Sequence, residues 1–265
     1  MADCRSVHPA APRKPTPDIP LKKNLLAVLA LVAAYSLLRA DEPASSYSVT
    51  TDFTYTTHYM FRGVQQQKGA LQPSLTFTQG GLSLGAWGST ALQDKSTAWA
   101  AGKEIDLFGS YSFGLAEGVT GTVGLTYYYY PDARSASSEP DSTYESVVSL
   151  ALPVGPLSGK VSYFHDFVYK SDTFQLDLGY SKPIADGGAQ FDAGVYYGIN
   201  DIGDGDGDLP GTGGYDYKYY GAVVALSGKI SESATLKVAA NWTNTSKIAQ
   251  PATKLWLSVG LTVAL

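Results

Sequence analysis

The sequence predicts an all-β fold: a transmembrane antiparallel β-barrel of about 12 strands, preceded by a cleaved signal peptide. Three observations carry this expectation. The C-terminal segment alternates strictly, the N-terminal segment is built for export, and the stretch between divides into alternating segments joined by links of two lengths. In the C-terminal segment Leu255, Leu257, Val259, Leu261, Val263 and Leu265 alternate with Trp256, Ser258, Gly260, Thr262 and Ala264. Successive side chains of a strand point to opposite faces, so the two sets divide between the two sides of one strand. A membrane barrel needs this division, because its outer face meets lipid and its inner face meets water.

At the N-terminus Lys22 and Lys23 precede the 14-residue apolar stretch Leu25 to Leu38, followed by Arg39-Ala40 and then Asp41-Glu42. A basic start, a short apolar core and a small residue before a polar segment describe a secretory signal, with cleavage expected after Ala40. As a helix the stretch would reach only about 21 Å, short of a hydrocarbon core. The expected division is therefore residues 1–40 as signal peptide and 41–265 as barrel. The first 20 residues contain five prolines and no pattern, and a start at Leu21 would give a compact export signal.

Composition excludes several classes. The formal charge is −5, and residues 41–265 alone hold 13 basic against 22 acidic side chains, or −9. A nucleic-acid binder needs a basic face, so nucleic acid is not an expected partner. The one cysteine, Cys4, lies before the apolar stretch, so residues 41–265 have no disulfide and no thiolate metal site. Mean hydropathy is −0.07, as alternating strands give, since each apolar residue is offset by a polar neighbour.

From Tyr47 onward the alternation recurs. Tyr47, Val49, Phe53, Tyr55, Tyr59 and Phe61 share one face, opposite Ser48, Asp52, Thr54, His58 and Arg62. Further strands are expected at Leu71–Thr78, Leu82–Ser89, Glu104–Phe113, Val119–Tyr130, Thr143–Leu152, Lys160–Phe167, Thr173–Ser181, Gln190–Gly198, Tyr215–Leu226, Thr235–Thr243 and Lys254–Leu265. Each is of the length a tilted membrane strand requires, and bacterial barrels have even strand numbers.

In such barrels short turns on one side alternate with longer links on the other. The expected short set is Gln79–Gly81, Gly114–Gly118, Pro153–Ser158, Lys182–Gly188 and Ser227–Ser233. The long set includes Ala91–Gly102, Pro131–Asp141, Ile199–Gly214 and Asn244–Ala252, while the links at Gly63–Gly69 and Val168–Asp172 are short exceptions. Aromatic girdles are expected at both interfaces, because rings with a polar tip settle there. Tyr59, Phe61, Tyr127 to Tyr130, Tyr144, Phe167, Tyr196, Tyr197, Tyr215, Tyr217 and Tyr219 fall at the long-link end. Tyr47, Phe77, Tyr111, Phe113, Tyr180 and Phe191 fall at the other. A stacking track for sugars is the competing reading of the tyrosine run.

By parity the inner face carries Asp52, His58, Arg62, Glu104, Asp106, Glu145, Lys160, Asp166, Asp177, Asp192, Asp216, Lys218, Lys237 and Lys254. Burying so many charges in a packed core would be prohibitive, whereas a watered lumen accepts them. These are the candidate pore-lining residues, and their acidic excess predicts a modest preference for cations. No catalytic residue, cofactor or metal is expected. His58 and Asp52 share a face, but six residues along a strand is roughly 20 Å, too far for an acid–base pair. His165 has outward parity. Asp204-Gly205-Asp206-Gly207-Asp208 matches a calcium loop only in part, because Leu209 and Tyr215 stand where that loop needs Gly and Glu. A solvated acidic loop fits it better.

Gly260, Leu261, Val263 and Leu265 have the spacing of a terminal barrel-assembly signal: a Gly, then apolar residues at alternate positions. That signal usually ends in an aromatic residue and here ends in Leu265. Its expected reader is the barrel-assembly machinery, and the expected surroundings are outer-membrane lipid.

Tyr59-Met60-Phe61-Arg62-Gly63-Val64-Gln65-Gln66, Ala70-Leu71-Gln72-Pro73, Gly85-Ala86-Trp87-Gly88-Ser89 and Glu104-Ile105-Asp106-Leu107 together resemble the TorF-type porin family, also called Gcw_chp. The resemblance implies a bacterial outer-membrane porin whose solute is undefined, and the leading reading of the whole chain is a barrel that passes small hydrophilic solutes by passive diffusion. Two other readings stand beside it: a structural or adhesive barrel with a plugged lumen, and an outer-membrane enzyme.

Overall fold

Alternating segments too apolar on one face for water, and too polar on the other for a core, are satisfied when the sheet closes on itself. The computed structural model describes residues 47–93, 102–132, 140–185, 188–202, 216–246 and 255–265. They form twelve strands: β1 (Tyr47–Phe61), β2 (Val64–Gln79), β3 (Leu82–Ala91), β4 (Lys103–Ala116), β5 (Val119–Tyr129), β6 (Ser142–Val154), β7 (Leu157–Asp166), β8 (Ser171–Ala185), β9 (Ala189–Ile202), β10 (Asp216–Lys229), β11 (Ala234–Thr245) and β12 (Leu255–Ala264). Every strand pairs antiparallel with its sequence neighbours, and β12 pairs with β1 to close the barrel. No helix among the described residues is long and apolar enough to cross a membrane. The twelve-stranded all-β barrel expected from the sequence is the observed fold. The signal peptide, the Asp204–Asp208 loop, Tyr215 and Lys254 lie outside the described residues.

The strands run further than periodicity suggested. β4 reaches Ala116, β6 Val154, β8 Ala185 and β10 Lys229, so the turns after them are tighter than the expected short set. The β1–β2 link is the most compressed: β2 begins at Val64, leaving Arg62 and Gly63 alone in the turn. Both have left-handed φ, 47° and 78°. Two successive positive φ angles make a type I′ turn, whose twist matches that of the flanking strands.

The outer face is apolar. Leu75, Leu107, Val148, Leu176, Val195, Val224, Leu226, Val238, Leu255 and Leu257 all present exposed side chains there. Ring pairs stand at both ends of this band, Tyr47 with Phe77 and Tyr111 with Phe113 at the short-turn end, Tyr144 with Phe167 and Tyr220 with Trp242 at the other.

Two segments face the opposite way from their parity reading. In β10 Tyr217 and Tyr219 are buried inside, Tyr219 only 1% exposed, and Lys218 stands on the outer face. The run Ala222-Val223-Val224-Ala225-Leu226 is apolar at both parities, so periodicity could not orient the strand. In the upper part of β1 the faces exchange. Thr56 is buried, yet Tyr59 also turns inward, its ring 5.5 Å from that of Trp87. Ala70 and Gln67, three apart on β2, are likewise both buried, with Gly69 between them at φ 61°. The Thr57 Oγ1 here takes the Leu257 N–H at 3.1 Å, standing in for a ladder carbonyl. As a result His58 lies outward opposite the exposed Lys68 rather than in the lumen. Tyr59, Phe61, Tyr128, Tyr196, Tyr217 and Tyr219, expected in the girdle, line the interior.

Candidate functional site

The inner face collects charge from most of the strands. Asp52, Arg62, Glu104, Asp106, Glu145, Lys160, Asp166, Asp177, Asp192 and Lys237 have inward positions, shared with buried or hydrogen-bonded polar neighbours. Asp216 opens β10 and its side chain is not described, nor is Lys254. Without Lys218 and His58, the described inner face sets seven carboxylates against four cations, Arg62, Lys160, Lys237 and Lys229, the last brought inside by the orientation of β10.

Several of these carboxylates are tied into the wall. Asp52 accepts hydrogen bonds from Thr54 Oγ1 (2.7 Å) and Thr262 Oγ1 (2.9 Å), spanning the β1–β12 seam. Asp192 accepts from Ser181 and Gln190, both at 2.7 Å. Asp166 accepts from Thr143 Oγ1 (2.6 Å) and from the N–H groups of Val168 (2.9 Å) and Tyr169 (2.7 Å). That arrangement holds the β7–β8 turn and gives Asp166 a structural role. Lys160 stands 4.0 Å from Asp177, and both are partly exposed.

At the long-link end the β1–β2 turn folds into the barrel. A Cβ on Gly63 would meet the Cβ of Tyr219 on β10 at 2.8 Å and that of Thr245 at 3.2 Å, so only glycine admits this approach. From the turn Arg62 reaches across to β6. Its Nη1 donates to Glu145 Oε2 at 2.7 Å and its Nη2 to Oε1 at 2.9 Å, with both side chains at most 10% exposed. The guanidinium is sandwiched between Phe61 and Phe164, 4.7 Å from each ring centroid. A planar, delocalised cation suits a fork-to-fork bond and ring stacking together, as an ammonium would not. Tyr219 also accepts from Arg62, and its hydroxyl donates to Gln175 Oε1 at 2.6 Å. Residues of β6, β7 and β10 thus surround one arginine tip.

Beside this tip an acidic and aromatic wall rises on β3, β4 and β5. Glu104 and Asp106 are both buried, and Glu104 is hydrogen-bonded by the hydroxyls of Tyr59 and Tyr130. Asp106 lies directly opposite Trp87 on one side and Tyr128 on the other. One rung along the same strands, Phe108, Thr126, Phe164, Lys160 and their neighbours line a cavity of about 280 Å³.

Sequence reasoning did not find the inward aromatics. The brevity of the β1–β2 link was the available signal: a two-residue turn at an end that otherwise carries long links is free to fold inward. Among the described residues no three His, Cys, Asp or Glu side chains gather as metal ligands. His165 bonds Asp172 (2.8 Å), which also accepts from Tyr163 (2.6 Å), but the three lie on the outer face, away from the lumen.

The sequence profile of a bacterial family of unknown function, Gcw_chp, matches residues 40–245. A search of the curated proteins finds no match. Among solved structures the fold is similar to the KdgM porin, at 15% identity and a TM-score of 0.50, covering 82% of this chain and 99% of that one. It is equally similar to the NanC porin, at 11% identity and a TM-score of 0.50, covering 82% and 100%.

Proposed function

The chain belongs to the Gcw_chp family of bacterial proteins, and we propose that it is an outer-membrane porin of the TorF type, passing small hydrophilic solutes by passive diffusion. One observation carries this reading above the others: a closed ring of strands puts exposed aliphatic side chains outside and, among the described residues, seven carboxylates with four cations inside. Lipid outside and water inside satisfy both faces, and no packed soluble core could hold that inner face. The likeness to porin folds agrees with it. Residues 1–40 act as the export signal, and β12, with Gly260, Leu261, Val263 and Leu265, is the segment the assembly machinery reads. On this reading the barrel works as a conduit rather than an enzyme.

The inward acidic excess gives the pore a preference for small cations, since carboxylates lining a narrow aqueous path concentrate them. The Arg62–Glu145 pair sets the constriction at the outer mouth. That same pair favours a second reading, a barrel whose lumen is closed by its own side chains. Planar bilayers separate the two. The porin gives steady single-channel steps and a reversal potential of cation-selective sign under a KCl gradient. A folded barrel that inserts and stays silent would overturn the diffusion reading in favour of the closed one.

A further inference from the structure

Asp106 is the one inward carboxylate of the mouth that is left unanswered. Its side chain is buried, and Oδ1 has no hydrogen-bond partner among the described residues. Glu104, two residues away on the same face, is already served by Tyr59 and Tyr130. The described inward cations are engaged or placed elsewhere: Arg62 is committed to Glu145, Lys160 is nearest Asp177, Lys237 lies beside Asp192, and Lys229 stands at the short-turn end next to Gly188. Two buried carboxylates two residues apart on one face repel each other, and a retained proton or a cation relieves them.

The surroundings specify its kind. Asp106 is flanked on adjacent strands by Trp87 and Tyr128, and Tyr59 packs against Trp87. Ring faces attract organic cations. Among the described residues no group of three carboxylate or imidazole ligands gathers here to hold a metal ion. The unmet Oδ1 needs an N–H donor, which a quaternary ammonium lacks. Next to Asp106 the same strands open into the cavity of about 280 Å³, walled by Phe108 and Phe164, with Lys160 also in its lining. Hydroxyls of Ser110, Thr122, Thr126, Ser149 and Ser162 share the lining with the two rings, so the space takes a short alkyl tail laid along Phe108 and Phe164, and Lys160 repels a second positive charge.

We infer that Glu104, Asp106, Trp87 and Tyr128 form a binding station for a primary alkylammonium ion, its head group on Asp106 and its tail in the neighbouring cavity. The station rests on the porin reading for its role, since it gives the lumen a preferred solute.

The test is calorimetric titration of the full-length, detergent-folded barrel with n-butylammonium chloride, with tetramethylammonium and potassium chlorides as parallel arms. The expected result is saturable n-butylammonium binding at least tenfold tighter than either comparison ion. Asp106→Asn should weaken it at least tenfold, and Trp87→Phe, which keeps a ring, should retain it. Heat-modifiable gel mobility confirms that each variant is folded. Absence of saturable binding to the wild-type barrel, equal affinity for tetramethylammonium or potassium, or undiminished binding by a folded Asp106→Asn protein would overturn the station. Bilayer recording separates this from the porin reading: a barrel that conducts potassium yet ignores n-butylammonium loses only the station. One that binds n-butylammonium yet never conducts keeps the station and loses the conduit.

Discussion

Arg62 and Glu145, 83 residues apart in sequence, are joined through the barrel interior by two hydrogen bonds of 2.7 and 2.9 Å. β1 and β6 are five strands apart around a ring of twelve, so the bond crosses the lumen instead of following its wall. Removing one member leaves the other charged, buried and unmatched, which costs about 3–5 kcal/mol. Arg62→Ala and Glu145→Ala should each lower stability by roughly that amount in urea unfolding from lipid vesicles. The double variant should lose much less than the sum, because neither charge is then stranded. All three should widen the pore and raise single-channel conductance. Additive losses with unchanged conductance would mean that the pair does not form the constriction.

The orientation of β10 makes lysines predict differently by face. Lys218 stands outside the barrel, so Lys218→Gln should leave the reversal potential under a KCl gradient unchanged. Lys160 is inside and faces Asp177 at 4.0 Å. Lys160→Gln removes one of four described inward cations, and the reversal potential should move toward stronger cation preference. A shift with Lys218→Gln and none with Lys160→Gln would reverse the assigned faces.

Tyr219 lies across Gly198, its register partner on the neighbouring strand, so closely that a Cβ there would overlap the phenol ring. Tyr196 covers Gly221 and Phe108 covers Gly85 in the same way. A ring laid over a glycine protects the exposed backbone and keeps the ring flat on the wall. Gly198→Ala should push Tyr219 into the lumen, costing about 1–3 kcal/mol as overpacking does. The displaced ring should also reduce single-channel conductance. Unchanged thermal stability in this variant would show that the wall yields at this point.

Deleting Leu261 to Leu265 removes the partners of Thr50, Thr51, Asp52 and Phe53 along the seam and the Leu265 N–H bond to Val49. The shortened chain should fail to acquire the heat-modifiable mobility of a folded barrel and should not insert. Normal insertion would show that β12 is dispensable for closure.

How much of this could be read in the sequence depended on how differently the two faces were populated. Strand number, the places of the short turns and the inward positions of Glu104, Asp106, Glu145, Asp177 and Asp192 followed from period-two alternation against lipid. β10 misled because Ala222 to Leu226 are apolar on both sides. His58 misled because the faces exchange locally around Thr57 and Gly69, and the register itself shifts between Tyr59 and Met60 before the turn at Arg62. The interior aromatics were read as girdle because tyrosine suits a wet wall and a lipid interface alike. The Arg62–Glu145 bond was out of reach for a different reason: alternation states which face a residue is on and says nothing about what lies across the void.

The Thr262–Asp52 hydrogen bond joins residues 210 apart, while every other strand pairing in the barrel links immediate neighbours in sequence. Eleven hairpins can therefore zip locally and quickly, and one closure must wait for nearly the whole chain, carrying the largest loop entropy of the fold. Until it happens, β1 and β12 are two open sheet edges with apolar outer faces, the condition under which strands recruit foreign partners. Closing the seam is thus the slow, committed step of this protein's assembly, and the interval before it is when the chain most needs protection.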